Sequence, residues 1–265
     1  MGERIRIGIS GALGRMGRAV ADAVEASEGA VITKLFDRPG AEGQIINGAD
    51  GPAHVLVTAA EALQASQVVV DFTTPEHTVA LARRAAELRA PSLVLGATGL
   101  NAEQDAAIAA ASQSVAIVRA RNFSLGVNML AGLVEEAARR LPAADWDIEI
   151  FEAHHRRKVD APSGTAFDLG EAAALGRGVD LAAVSERGRD GITGARAVGA
   201  IGFSVLRGGG IIGEHSVSFV AEDEILTLSH SARNRSLFAR GALVAAVWAA
   251  GKPPGLYTMK DVLGF

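Results

Sequence analysis

Four glycines spaced three residues apart, Gly8, Gly11, Gly14 and Gly17, interrupt the start of the chain where an apolar strand pattern gives way to a helical one. Arg4-Ile5-Arg6-Ile7-Gly8-Ile9 alternates and then turns apolar, and Arg15 to Ala26 carries helical spacing. Glycine there lets the backbone turn tightly and approach a pyrophosphate, while the first amides of the helix and its dipole favour an anion. Few layouts satisfy a strand, a glycine turn and a helix in that order; the βαβ unit of a parallel sheet is the principal one. A second apolar run, Val31 to Phe36, ends at Asp37, twenty residues after Gly17. A carboxylate there is placed to accept hydrogen bonds from an adenosine ribose. Arg38 follows it directly and offers a guanidinium to a 2′-phosphate, so the pair leaves NADH and NADPH both open.

The alternation of strand and helix continues. Val68 to Phe72 reads as a strand, followed by a Thr74 N-cap with Pro75 at the first helical position. Ser92 to Gly96 and Val115 to Val118 read as strands, with a helix over Ala102 to Ala111 between them. The expected fold class is α/β, a Rossmann-type parallel-sheet nucleotide domain. After Asn122 the pattern changes. A helix from about Gly126 to Leu141 precedes Asp147 to Glu152, which alternates with period two. Ile201 to Leu206, Ile211 to Val220 and Glu224 to His230 are three further strands with few helices between them. They predict a second, α+β domain with a mixed open sheet exposed on one face. A last alanine-rich helix runs from about Ser236 to Ala250.

Composition narrows the function. The chain has 265 residues, net charge -4 and 21% charged residues, which gives no basic face for nucleic acid. It has no cysteine, which excludes disulfides, thiolate catalysis and cysteine-bound zinc. The start lacks an apolar signal core, and Ala242 to Ala250 is too short to span a bilayer, so a cytoplasmic protein without membrane attachment is expected.

Against that acidic balance, His154-His155-Arg156-Arg157-Lys158 crowds basic side chains into one loop at the end of a predicted strand. Ala161-Pro162-Ser163-Gly164-Thr165 then opens a helix over Ala166 to Leu175. Ser163 is suited to cap it, and the Gly164 and Thr165 amides belong to the turn whose donors lack intrahelical partners. The combination predicts a carboxylate or phosphate site with a proton donor beside it. Metal ligation by the two histidines is not expected, because neighbours on a strand face opposite ways.

Glu152 through Ala166, read whole, resembles the signature of the dihydrodipicolinate reductase family. Gly11-Ala12-Leu13-Gly14-Arg15-Met16 is similar to its nucleotide loop and Asp71-Phe72-Thr73-Thr74-Pro75 to its third-strand motif. Gly96 to Gly99, Asn122 to Asn128 and Gly213-Glu214-His215 match it as well. The resemblance implies reduction of 4-hydroxy-tetrahydrodipicolinate, via dihydrodipicolinate, to tetrahydrodipicolinate in diaminopimelate and lysine synthesis. It implies a discontinuous dinucleotide-binding domain, 1–125 and 236–265, around a substrate-binding and oligomerisation domain, 126–235, in a homotetramer. By motif position, His154 and Lys158 take the proton-donor roles, and His155, Ser163, Gly164 and Thr165 contact a small dicarboxylate substrate. Gly11, Ala12, Leu13, Gly14, Arg15, Met16, Asp37, Arg38, Gly96, Ala97, Thr98, Ala120, Arg121, Asn122 and Phe123 take the contacts to NADH or NADPH. Two positions depart from the pattern: Arg121 stands where a small residue is expected, and Gly210 where aspartate is common. Two other readings stay open, a different small-substrate NAD(P)-dependent dehydrogenase and a non-catalytic NAD(P)-sensing protein. The basic loop weighs against the second.

Overall fold

The computed structural model describes residues 3–47 and 52–265. The chain forms two compact units, one from the segment through Leu125 together with Ser236–Phe265, the other Gly126–Arg235.

In the first unit, β1 (Ile5–Ser10), α1 (Arg15–Glu25) and β2 (Ala30–Phe36) follow each other as the glycine pattern demands. Then come β3 (Ile45–Asn47), β4 (Ala53–Val55), α2 (Ala59–Ala65), β5 (Val68–Asp71), α3 (Pro75–Leu88), β6 (Ser92–Leu95), α4 (Ala102–Ala111) and β7 (Ala116–Arg119). β5 is buried at all four positions and β6 and β7 at three each, as strands covered on both faces must be. The second unit contains almost all of α5 (Leu125–Arg140), then β8 (Asp147–His154), α6 (Gly164–Arg177), α7 (Leu181–Val184), β9 (Ser185–Glu186), β10 (Ile201–Arg207), β11 (Glu214–Val220) and β12 (Ile225–Ser231). α8 (Ser236–Ala249), β13 (Gly255–Tyr257) and α9 (Met259–Leu263) return to the first unit.

The large sheet of the first unit runs β13-β7-β6-β5-β1-β2, and every pairing in it is parallel. Its order reverses at β1, which has β2 on one side and β5 on the other. That reversal opens a crevice beyond the carboxyl ends of the strands, where ligands of such sheets bind. Gly11 there has a φ of +68°, and Gly14 caps α1 without a side chain. A Cβ on Gly17 would lie 2.2 Å from the Gly11 carbonyl oxygen, so helix and turn approach more closely than any other residue permits.

The sheet of the second unit runs β12-β11-β8-β10-β9, with β11 antiparallel to both neighbours and β10 parallel to both of its own. Ile148 and Ile150 of β8 join Leu130, Val134, Leu169, Phe203 and Phe219 in one buried cluster. The alternate positions leave Phe151, Leu206 and Ile225 at 40% exposure or more.

Thr74 and Ser163 cap α3 and α6 as the sequence indicates, with Pro75 at the start of α3. α2 shows no clear apolar period in the sequence, although its Thr58–Glu61 capping box marks a helix start. β3, β4, β9 and β13 are too short to show a period. Among the described residues no helix is long and apolar enough to cross a membrane.

Candidate active site

Side chains on a strand alternate faces, so β8 presents Ile148, Ile150, Glu152 and His154 on one side. The isoleucines are core. Glu152 continues their row and is 1% exposed, a charged residue in an apolar position. Four donors meet its carboxylate. Arg207 grips both oxygens, with Nη1 to Oε2 and Nη2 to Oε1 at 2.7 Å each. The Ser163 amide donates to Oε1 at 2.9 Å, and His154 Nδ1 lies 2.6 Å from Oε2. A carboxylate only accepts, so Nδ1 carries the hydrogen and Nε2 is the nitrogen free to face a ligand. Burial pushes the Glu152 carboxyl up, but hydrogen bonds from Arg207, His154 and Ser163, with the Arg207 charge, outweigh it and hold it below the usual carboxylate range.

Neighbouring strands complete the cluster. Arg207 on β10 pairs in register with His154, and His215 on β11 with Glu152. The His215 ring stands edge-on to His154 at 5.1 Å between centroids, and its Nε2 is 3.2 Å from Ser163 Oγ. Burial, then the charge of His154, push the His215 imidazole down to about 4, so it is neutral at physiological pH. Ser163 Oγ also accepts from the Ala166 amide at 3.2 Å, closing the first turn of α6.

The basic loop leaves β8 through a turn in which the Lys158 amide donates to the His155 carbonyl at 3.0 Å. Lys158 Nζ sits 2.8 Å from Asp160, whose carboxyl that contact holds below its usual range. Arg156 and Arg157 are exposed, and His155 Nδ1 is buried without a hydrogen-bond partner. Gly164 opens α6 with nothing within 4 Å of where a Cβ would point. The geometry thus brings His154, Ser163 and the start of α6 onto one carboxylate. Glu152, Arg207 and His215 were not predicted as site residues. The signal for Glu152 was available, since a glutamate in the buried phase of an apolar alternation needs donors, and a histidine followed two residues later.

In the first unit, the predicted cofactor residues fall at the carboxyl ends of parallel strands: Gly11–Met16 after β1, Asp37 and Arg38 after β2, Gly96–Thr98 after β6, Ala120–Phe123 after β7. Asp37 Oδ2 accepts from the Leu13 amide at 2.9 Å and so braces the glycine turn, a role sequence reading did not assign it. Its Oδ1 accepts from the Arg38 amide at 2.9 Å, while the Arg38 side chain is 75% exposed. A Cβ at Gly96 would strike the Phe72 ring at 2.2 Å, which explains that glycine without appeal to a ligand. Arg121 and Gly210, the two departures from the pattern, are both exposed.

A parallel sheet with its switch point at a glycine turn, and a second unit carrying a histidine held by a buried carboxylate, are the parts that an NAD(P)H-dependent reductase uses. The chain belongs to the dihydrodipicolinate reductase family. The profile described as "Dihydrodipicolinate reductase, N-terminus" matches residues 5–123, and that described as "Dihydrodipicolinate reductase, C-terminus" matches 126–263. The chain is 60% identical to a 4-hydroxy-tetrahydrodipicolinate reductase of Caulobacter vibrioides, over 100% of this chain and 99% of that one. It is 50% identical to the enzyme of the same name from Rhizobium rhizogenes, over 99% and 97% of the two chains. Among solved structures, a dipicolinate-bound dihydrodipicolinate reductase from Paenisporosarcina sp. TG-14 superimposes with a TM-score of 0.77 at 23% identity, covering 97% of this chain and 98% of that one. A probable dehydrogenase from Thermotoga maritima reaches 0.58 at 14% identity, over 96% and 91%.

Proposed function

We propose that the chain reduces dihydrodipicolinate, formed from 4-hydroxy-tetrahydrodipicolinate, to tetrahydrodipicolinate, with the acid chemistry on β8 and the loop after it. The observation that carries this reading is the Glu152–His154–Ser163 arrangement, one carboxylate holding both a proton donor and the start of a helix. The first unit, residues 1–125 and 236–265, binds the cofactor on Gly11–Met16, Asp37 and Arg38, with Gly96–Thr98 and Ala120–Phe123 beside them. The turn at Gly14 fits a pyrophosphate, because Gly14 has no side chain with which to cap α1. Bound reduced nicotinamide supplies a hydride to the carbon at the far end of the double bond conjugated with the substrate imine. The resulting enamine takes a proton at the intervening carbon, from His154 or Lys158. His155, Ser163, Gly164 and Thr165 hold the two carboxylates within the second unit, residues 126–235. The sheet face that carries Phe151, Leu206 and Ile225, each 40% exposed or more, supports assembly into a homotetramer.

Two tests follow from this assignment. Arg38→Ala should weaken NADPH binding and leave NADH nearly unchanged; equal losses for both would remove Arg38 from the 2′-phosphate. Thr165→Val keeps the side-chain shape and deletes a hydroxyl. It should raise KM for the substrate about tenfold, roughly 1.4 kcal/mol for one hydrogen bond to a charged group. Pyridine-2,6-dicarboxylate, competitive with substrate, should weaken in parallel, and an unchanged inhibition constant would place the anion site elsewhere.

A further inference from the structure

Glu152 occupies a position that the fold would fill more cheaply with another apolar residue. Ile148 and Ile150 precede it on the same face of β8, and it is as buried as they are. A buried ion pair seldom adds stability over an apolar residue of similar volume, so its presence calls for another reason. All four of its recorded partners are donors: two guanidinium nitrogens, the Ser163 amide and His154 Nδ1. Arg207 satisfies the charge on its own, yet the carboxylate is turned so that each oxygen keeps one further donor. One holds the imidazole. The other holds the first turn of α6 through the residue that caps it.

We propose that Glu152 is the positioning residue of the reaction, fixing the tautomer and orientation of His154 and tying that ring to the helix start that receives the substrate carboxylate. The inference rests on the reading of His154 as proton donor. With Nδ1–H held by Glu152, Nε2 alone exchanges a proton with the ligand, and a second-sphere carboxylate compensates the imidazolium before the transfer. In the transfer itself the Nε2–H bond breaks, the enamine electron pair forms a C–H bond, and a neutral imidazole remains with Nδ1–H still on Glu152. Gly213 keeps that nitrogen uncrowded, since a Cβ there would come within 3.2 Å of Nε2. Among the described residues, the charged and titratable groups near the ring include Glu152 on its own strand, Arg207 on β10 and His215 on β11, and His215 in turn feels His230 of β12 and Lys158 of the loop. Of these, Glu152 is the carboxylate in hydrogen-bond contact with the imidazole.

Glutamine at 152 has the right shape and cannot accept from four donors, so its amide faces at least one of them. Glu152→Gln should lower kcat on the order of 10²-fold, within the range contributed by a general acid, and leave the NADH dissociation constant unchanged. The alkaline limb of the kcat–pH profile should move to lower pH, because the protonated ring has lost its anion. Combined with His154→Ala, Glu152→Gln should add little further loss, whereas a merely structural residue would multiply the two losses. Arg207→Gln is read separately, should Glu152→Gln fail to fold. It leaves Glu152 with the imidazole as its remaining charge partner, so the same limb should move to higher pH. Multiplicative losses in the double variant, or an unmoved limb in both Glu152→Gln and Arg207→Gln, would overturn the inference. Wild-type kcat in His154→Ala would instead overturn the donor reading beneath it.

Discussion

Replacing His154 or Lys158 with alanine is expected to lower kcat by about 10²–10⁴-fold, the contribution typical of a positioned acid or base. Both side chains belong to the second unit, while the glycine turn belongs to the first, so NADH affinity should stay within about twofold of wild type in either variant, a surface-type change well under 1 kcal/mol. The two losses have different origins. His154 is held on Glu152, and in the proposed mechanism its removal deletes a preset proton donor. Lys158 is paired with Asp160 at 2.8 Å, and in the proposed mechanism it exchanges that partner for the substrate, so its variant should show a raised KM as well as a lowered kcat. Steady-state kinetics at saturating substrate, with cofactor binding measured by fluorescence, separate these effects. Near-wild-type kcat for one variant would take that residue out of the proton-transfer step and leave the other as donor.

The second large effect lies away from the chemistry. Gly241 of α8 packs so closely on the loop after β7 that a Cβ would fall 1.6 Å from the Phe123 carbonyl oxygen and 2.8 Å from its carbon. Both obstacles are backbone, and Phe123 is buried against the same core, so no flexible group can give way. Gly241→Ala should therefore exceed the usual 1–3 kcal/mol of overpacking, lowering the melting temperature by roughly 6–12 °C or more. It should also weaken NADH binding, because Ala120, Arg121, Asn122 and Phe123 form the loop that the alanine displaces. Gly188→Ala is the control: nothing lies within 4 Å of that Cβ direction, and stability should change by less than about 0.5 kcal/mol. Thermal unfolding of the two variants side by side decides whether the contact is as tight as the structure indicates.

Gly241 also illustrates what the sequence conceals. The helix containing it was legible, since Ser236 to Ala250 carries helical spacing, but alanine-rich faces do not say which sheet they cover. That follows from tertiary packing: Ala239, Ala242, Ala245 and Ala246 are buried against the parallel sheet of the first unit. The strands β5, β6 and β7 were readable to within a residue or two because burial on both faces makes them nearly continuous apolar runs, and β1 and β2 because they flank the glycine turn and its helix. β13 was not, because three residues at a sheet edge show no period. In the site, Ser163 was read as a cap from its place before a helix. The histidines and Lys158 stood out as a charge cluster. Glu152 falls in the buried phase of an alternation, which signals that it needs donors, but that pattern does not show that Arg207, 55 residues later, is the one that arrives to neutralise it. Asp37 was read for its distance from the glycines, whereas its contact with the Leu13 amide depends on how β2 ends beside the turn.

Turnover is the decisive measurement. Pyruvate and aspartate semialdehyde, freshly condensed enzymatically, should be added to the purified protein with NADH and, separately, with NADPH, and the loss of reduced nicotinamide followed. The account predicts oxidation that depends on the condensed product, is competitively inhibited by pyridine-2,6-dicarboxylate, and falls to near background in His154→Ala. Tight binding of either cofactor with no oxidation on adding the product would contradict it, and would identify instead a protein that senses the nucleotide without reducing anything.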